Sequence, residues 1–199
     1  MTSIESLIVV GSSGTGKTTL VDGLRTPTYR SRVVVPRRFV TRLGRLDDDP
    51  NETAHLDQAD FQRLVDAKTI HPYWHRTLEH GRRERYGFEM IDEADSRLRV
   101  FAANNAFLRD HNASVLEVLD TAIVVIVQAR RETRNARLSA KNMPADESDV
   151  RLDDDGGDLL DADLVDARLV DTTDLTRHEG QQALRSITDE LFSTRSWMS

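Results

Sequence analysis

One octapeptide, Gly11-Ser12-Ser13-Gly14-Thr15-Gly16-Lys17-Thr18, constrains the fold of this chain more than any other stretch. It satisfies G-x-x-x-x-G-K-[ST] at every fixed position. Ahead of it, Ser6-Leu7-Ile8-Val9-Val10 is a short, apolar, β-branched run of the kind that forms a buried parallel strand. Behind it, Leu20, Val21 and Leu24 recur at helical spacing until Pro27 ends the helix. Strand, glycine loop and helix in that order bring backbone amides and the positive end of a helix dipole to one point, which suits phosphate. The pattern therefore assigns Gly11 through Thr18, with Thr19, to nucleotide phosphates. Lys17 is placed for the outer phosphates and the Thr18 hydroxyl for Mg²⁺. The competing reading is a glycine-rich turn with no ligand.

At 199 residues the chain has room for one well-buried core and an inserted subdomain. It contains no cysteine, hence no disulfide or thiol chemistry, which fits a reducing cytoplasm. The longest apolar run, Ala122 to Val127, is too short to span a bilayer. The N-terminus carries Glu5 and runs directly into the first strand, so no signal peptide and a cytoplasmic location are expected. A formal net charge of −7 argues against a general nucleic-acid binder. Yet between Asp22 and Asp47 there is no acidic residue, only Arg25, Arg30, Arg32, Arg37, Arg38, Arg42 and Arg45. Lysine occurs only at 17, 68 and 141, so composition bias accounts for much of this. The arginine cluster is still a candidate anion site, because the guanidinium fork matches phosphate geometry.

Further along, Arg32-Val33-Val34-Val35 reads as a strand running into Pro36. Asp57 is a helix N-cap with Asp60 three residues on, and Phe61, Leu64 and Val65 form the buried stripe that follows. Ile70–Trp74 and Arg83–Tyr86 pair as strands across a turn at His80-Gly81. A helix near Glu89–Arg97 leads to a strand at Arg99–Ala102, then a helical stretch Ala106–Leu119 broken near Asn112. Ala122–Val127 is the strongest buried strand; a helix Glu132–Ala140 and a polar connection over 142–157 follow it. Ala167–Val170 is the last strand, and Thr176 with Glu179 makes a capping box for a final helix buried through Leu184, Ile187 and Leu191. The alternation predicts an α/β P-loop NTPase: a parallel sheet with helices on both faces.

The loop alone does not choose among GTPases, motor ATPases and small-molecule kinases. No N-K-x-D guanine reader is present, and Asp154-Asp155-Gly156-Gly157 matches D-x-x-G only inside the acidic connection. A motor would be larger. What remains is a compact kinase with an insert.

From the phosphate loop to Phe192 the chain resembles the guanylate kinase superfamily, and within it the ribose 1,5-bisphosphate phosphokinases of phosphonate breakdown, which make phosphoribosyl diphosphate. The resemblance rests on Arg38-Phe39-Val40-Thr41-Arg42, Glu52, Leu56-Asp57 with Phe61, Trp74-His75, Tyr86-Gly87, Arg137-Leu138 and Arg151-Leu152, in order and at similar spacing. It implies a core over about 1–30 and 89–199, an acceptor-binding insert over about 31–88 and a lid over about 141–157. It implies ATP with Mg²⁺ and a small phosphorylated substrate, with neither nucleic acid nor membrane as partner. Arg42, Arg45 and Tyr86, with Arg38, match positions that hold the acceptor phosphate; Glu52 matches a carboxylate that reads its polar groups. Arg137, Lys141 and Arg151 match positions closing over ATP phosphates, with Lys17, Arg137 and Arg151 as the catalytic set. Other readings stand beside these. Tyr86 is equally a core aromatic, Arg137 an exposed helix residue and Arg151 a partner of nearby aspartates. Trp74 and His75 are read as hairpin packing ahead of sugar contact.

The chain departs from the family pattern at four places. Ala54-His55-Leu56 lacks the tyrosine with which guanylate kinases hold the base, and Phe88 stands where they have a serine or threonine. Phe101-Ala102-Ala103-Asn104-Asn105 lacks their aspartate, as the phosphokinases do, leaving Asn104 as the candidate second metal anchor. The stretch Thr77 to Arg85 is a few residues longer than in those relatives. The expected function is phosphoryl transfer to ribose 1,5-bisphosphate, with guanylate kinase as the alternative and a silent guanylate-kinase-like binding module as the third reading.

Overall fold

The computed structural model describes residues 4–44, 48–78, 81–140 and 167–195. Arg45, Lys141, Arg151 and the expected lid lie outside those residues. The chain divides into two compact units, one of residues 1–35, 97–105 and 121–199, the other of residues 36–96 and 106–120.

The first unit is built on a five-stranded sheet, in the order β2-β7-β1-β8-β9. Its central strand β1 (Ser6–Val10) runs parallel to β7 (Leu98–Ala102) on one side and β8 (Ala122–Gln128) on the other. β2 (Val33–Val34) and β9 (Ala167–Asp171) form the edges, also parallel. All of β1 is buried, without alternation, because both faces of a parallel sheet are covered. Leu7 and Val9 pack with Leu20, Val21 and Leu24 from the region of α1 (Lys17–Asp22), and with Leu184 and Leu191 of the last helix, α7 (Arg177–Arg195). The capping box forms: Thr176 N–H donates to Glu179 Oε2 at 2.8 Å, and Glu179 N–H to Thr176 Oγ1 at 3.3 Å. Pro27 does more than end a helix. α1 stops at Asp22, and Pro27 opens a separate short helix, α2 (Pro27–Arg30), from the first position that tolerates it.

The second unit holds a four-stranded sheet in the order β4-β3-β6-β5. β3 (Arg38–Val40) lies parallel to β4 (Thr53–His55) and antiparallel to β6 (Arg83–Glu89), which pairs in turn with β5 (Ile70–Thr77) as a hairpin. α3 (Gln58–Asp66) starts on Asp57, whose carboxylate accepts the Asp60 N–H at 2.7 Å. The core here is aromatic. Trp74 is buried, stacks on Tyr86 at 5.5 Å and meets Phe88 at 5.4 Å and the edge of Phe107 at 5.1 Å. The break near Asn112 separates α4 (Ala106–Arg109) from α5 (Ala113–Leu119), with Asn112 as the N-cap. One expected element is absent. No helix forms over 89–97, since Glu89 completes β6 and Asp92 closes a turn, accepting the Ala94 N–H at 2.9 Å. No helix among the described residues is long and apolar enough to cross a membrane. α6 (Arg131–Ser139) belongs to the first unit and follows β8.

Candidate functional site

The phosphate loop leaves β1 at Gly11, where any side chain would collide with the Val127 carbonyl oxygen of β8. Gly14 and Gly16 take φ of 80° and 95°, left-handed values that favour glycine. Lys17 Nζ donates to the carbonyls of Gly11 at 2.5 Å and Ser12 at 2.7 Å, and Thr15 Oγ1 donates to Ser12 O at 2.9 Å. The loop is thus closed on itself, with Thr18 exposed in the first turn of α1.

A peptide unit that turns its N–H inward turns its C=O outward, and those carbonyls need donors. Two arginines of α6 supply them. Arg134 Nε donates to Ser13 O at 2.9 Å. Arg137 donates to Thr15 O at 3.3 Å and Gly14 O at 3.4 Å, and its other bonds go to Thr172 Oγ1 at 2.9 Å and Thr172 O at 2.6 Å. Thr172 Oγ1, buried, donates to Thr15 O at 2.7 Å. In this structure Arg137 therefore braces the loop through its carbonyls. Sequence reasoning missed Arg134 and Thr172. Arg134 lies one turn before Arg137 on the same helix face, a signal that was readable; Thr172 follows β9 and carried none.

Of the residues that follow β7, Asn105 contacts the phosphate loop. Asn105, 7% exposed, donates from Nδ2 to Ser12 Oγ at 3.2 Å, and its Oδ1 is buried without a hydrogen-bond partner. Asn104 is only half-buried and makes other contacts. Among the described residues no group of three His, Cys, Asp or Glu is placed to hold a metal. Mg²⁺ keeps several waters and takes most of its protein-site ligands from phosphates, so a hydroxyl at Thr18 and a neutral oxygen at Asn105 are a donor set it accepts.

In the second unit Arg38, Arg42, Asp48 and His55 converge. Arg42 is bidentate on Asp48, with NH1 at 2.7 Å from Oδ2 and NH2 at 2.6 Å from Oδ1, and its side chain is buried. Arg38 NH2 lies 3.8 Å from the same carboxylate and donates to Thr53 Oγ1 at 3.0 Å, while Arg38 Nε is buried without a partner. His55 Nε2 stands 3.2 Å from Asp48. Burial, then the neighbouring charge of Arg42, pushes the Arg38 guanidinium below its usual range. Burial acts on Arg42 the same way, but the hydrogen bonds and charge of Asp48 outweigh it and raise Arg42. Tyr86 is buried in the aromatic core, and its hydroxyl donates to Glu84 Oε2 at 2.6 Å. Glu52 sits before β4, its carbonyl accepting the Arg38 N–H at 2.8 Å. The structure thus sets Arg38 beside Glu52 at the start of β3 and β4, with Arg42 past the other end of β3 and the two arginine side chains sharing Asp48. It also adds Asp48, a carboxylate that sequence reading did not select.

A separate pair caps the outer edge of β5. Asp110, buried, lies 2.7 Å from His75 Nδ1 and accepts the His75 backbone N–H at 2.9 Å. Burial would raise this carboxyl, but hydrogen bonds from His75 and Asn112 and the His75 charge together hold it below the usual range.

No protein-family profile matches the chain, and no curated protein does. Solved structures do match. The guanylate kinase of Anaplasma phagocytophilum superposes with a TM-score of 0.59 over 98% of this chain and 88% of that one, at 15% identity. The chain has the α/β fold of P-loop kinases. A gluconokinase from Sinorhizobium meliloti 1021 (TM-score 0.43, 13% identity, 98% of this chain and 99% of that one) is a more distant likeness. So is TT1252 from Thermus thermophilus (TM-score 0.47, 15% identity, 95% and 98%).

Proposed function

We propose that the protein is an ATP-dependent phosphotransferase that moves the γ-phosphoryl group onto a phosphate oxygen of a small phosphorylated acceptor. Ribose 1,5-bisphosphate, giving phosphoribosyl diphosphate as in phosphonate breakdown, is the acceptor the residues favour. The observation that carries the reading is the intact loop: left-handed glycines, a lysine folded over its mouth and carbonyls braced from behind. A phosphate nucleophile is already ionised at neutral pH, so the chemistry asks for positioning and charge neutralisation rather than a general base. Mg²⁺, when bound with ATP, would neutralise phosphate charge, with Thr18 and Asn105 as the residues that fit it. Lys17 supplies the fixed cation at the outer phosphates. Gly11 to Gly16 and Thr19 line the phosphates, with Ser12, Ser13 and Thr15 contributing backbone.

On the acceptor side the proposal gives Arg42 and Arg38 the incoming phosphate, with Arg45 beside them and Glu52 on the sugar hydroxyls. Asp48 then acts as a place-holder, a carboxylate occupying the Arg42 fork that an acceptor phosphate replaces with the same bidentate geometry. Tyr86 is held on Glu84 and orients that carboxylate. Lys141 and Arg151 complete the ATP side. A small-molecule substrate, no nucleic-acid or membrane partner and a cytoplasmic setting accord with the net charge of −7 and the absence of cysteine.

The second reading is a guanylate kinase, favoured by the 0.59 TM-score above. Against it, Phe88 is buried in the aromatic core and offers no hydroxyl to a base. A silent binding module is disfavoured by the complete loop. ADP release measured in parallel with ribose 1,5-bisphosphate and with GMP separates the three. Turnover on the bisphosphate alone supports the proposal, turnover on GMP alone replaces it with the second reading, and turnover on neither together with no binding of ATP with Mg²⁺ by calorimetry leaves the binding module. Lys17→Ala should lower kcat by at least about a hundredfold. Arg42→Ala should raise the acceptor KM about ten- to a hundredfold with little change in the KM for ATP, the range expected for a lost charged hydrogen bond. An unchanged acceptor KM would remove Arg42 from the site.

A further inference from the structure

We propose that Thr172 is a positioning residue for the nucleotide phosphates. Its hydroxyl, with Arg137, locks the Thr15–Gly16 peptide plane so that the Gly16 N–H faces the bound phosphate, and Arg134 locks the Ser13–Gly14 plane in the same way. This rests on the reading of the loop as a nucleotide phosphate site and deepens it, because phosphate affinity is then set in part by a side chain that touches no phosphate.

A planar trans peptide points its C=O and the following N–H in opposite directions, so whatever holds one aims the other. Two planes of the loop are loosely determined by their own sequence, those ahead of Gly14 and Gly16. Turning such a plane over reverses the sign of φ at the residue that follows, and glycine accepts either sign at little cost. Gly14 and Gly16 hold φ of 80° and 95°. A donor from outside the loop is needed to keep each plane from turning.

The structure places one on each carbonyl. Arg134 Nε holds Ser13 O at 2.9 Å. Thr15 O takes the Thr172 hydroxyl at 2.7 Å and Arg137 NH1 at 3.3 Å. The plane between them is held within the loop, since the Thr15 N–H donates to Ser12 O at 3.4 Å. The N–H groups of Gly14 and Gly16 are thereby aimed away from α6, into the cradle. Thr172 is itself fixed. It is 3% exposed, its N–H donates to Gln128 O at 2.9 Å, and its Oγ1 accepts from Arg137 NH1 at 2.9 Å. A hydroxyl has a single proton to donate. Of the two carbonyls in reach, Thr15 O at 2.7 Å is closer than Gln128 O at 3.2 Å and takes it.

The test uses the full chain, with MgADP and MgATP as probes. Thr172→Val should weaken both about tenfold by calorimetry, the effect of one lost hydrogen bond at a buried site, and leave the acceptor KM unchanged. Thr172→Ser, which keeps the hydroxyl, should restore wild-type affinity. In ¹⁵N-labelled protein, MgADP should move the amide protons of Gly14 and Gly16 downfield. Thr172→Val should shrink the Gly16 shift at saturation and spare that of Gly14, and Arg134→Ala should do the reverse. Unchanged ADP affinity in Thr172→Val would overturn the proposal. So would a loss of affinity with both glycine shifts intact, since Thr172 would then act elsewhere than on the loop. A Thr172→Ser no better than Thr172→Val would overturn it too, because the hydroxyl would not be the active group. If Thr172→Val does not fold, Thr172→Ser and Arg134→Ala decide: weakened ADP binding in the first, or an unmoved Gly14 shift in the second, is fatal. A wild type that binds neither nucleotide refutes the phosphate reading itself, a different failure from an intact site indifferent to Thr172.

Discussion

Arg137 and Arg42 show how a side chain of the right type at the right spacing is redirected by its neighbours. Arg137 donates to carbonyls of the loop and to Thr172. Arg137→Ala should cost about 2 kcal/mol in urea unfolding, the loss of charge-assisted bonds at a half-buried site, and Arg137→Lys should recover only part of it because the fork is gone. Arg42 is buried against Asp48, so removing the carboxylate strands a cation. Asp48→Ala should destabilise by about 3–5 kcal/mol, far more than a surface pair would, as read from the unfolding midpoint. Asp110 gives a pH signature. Its carboxyl is depressed in the folded state, so its stabilisation is complete above the unfolded value near about 4 and is lost as pH falls through the folded one. The stability gap between wild type and Asp110→Asn should shrink between about pH 5 and 3; a flat gap across that range would contradict it.

At the scale of elements, the second sheet solves its exposed edge with side chains instead of another strand. Tyr73 N–H donates to Ser114 Oγ at 2.8 Å, Asn112 Nδ2 donates to Tyr73 O at 2.8 Å, and Asp110 takes the His75 N–H. Residues 110–114 thus satisfy the backbone groups that an open edge strand would offer to another chain. Asn112 has two duties, since its Oδ1 also caps α5 by accepting the Val115 N–H at 3.2 Å. Asn112→Ala should therefore cost about 2–3 kcal/mol, more than the roughly 1 kcal/mol of a cap alone, measured by chemical denaturation. In the first unit α7 lies on α1, with Gln181 Nε2 donating to Thr19 O at 3.1 Å and Arg185 Nε to Gly23 O at 2.9 Å. The helix that carries the loop lysine is thus tied along its length to the last helix. The helix expected over 89–97 failed for a local reason. Asp92 offers its carboxylate to backbone N–H groups two residues on, and the competing turn wins.

Across the molecule each unit has a core of its own, aliphatic in the first and aromatic in the second. Trp74→Ala should remove about 3–5 kcal/mol from the second unit, seen as loss of its cooperative unfolding in hydrogen exchange over residues 70–89. What the sequence determined by itself is the part governed by short-range rules. The strand, loop and helix around Gly11–Thr18, the capping box at Thr176, the N-cap at Asp57 and the hairpin at 70–89 all follow from neighbours within a few residues, and so does the α/β alternation. Only the tertiary structure decided which arginines brace the loop, that Asp48 fills the Arg42 fork and that Asn105 reaches Ser12. Those contacts join residues six to more than a hundred positions apart. Spacing along the chain carries no information about them, because they arise from which strand ends and helix faces the sheet order brings together.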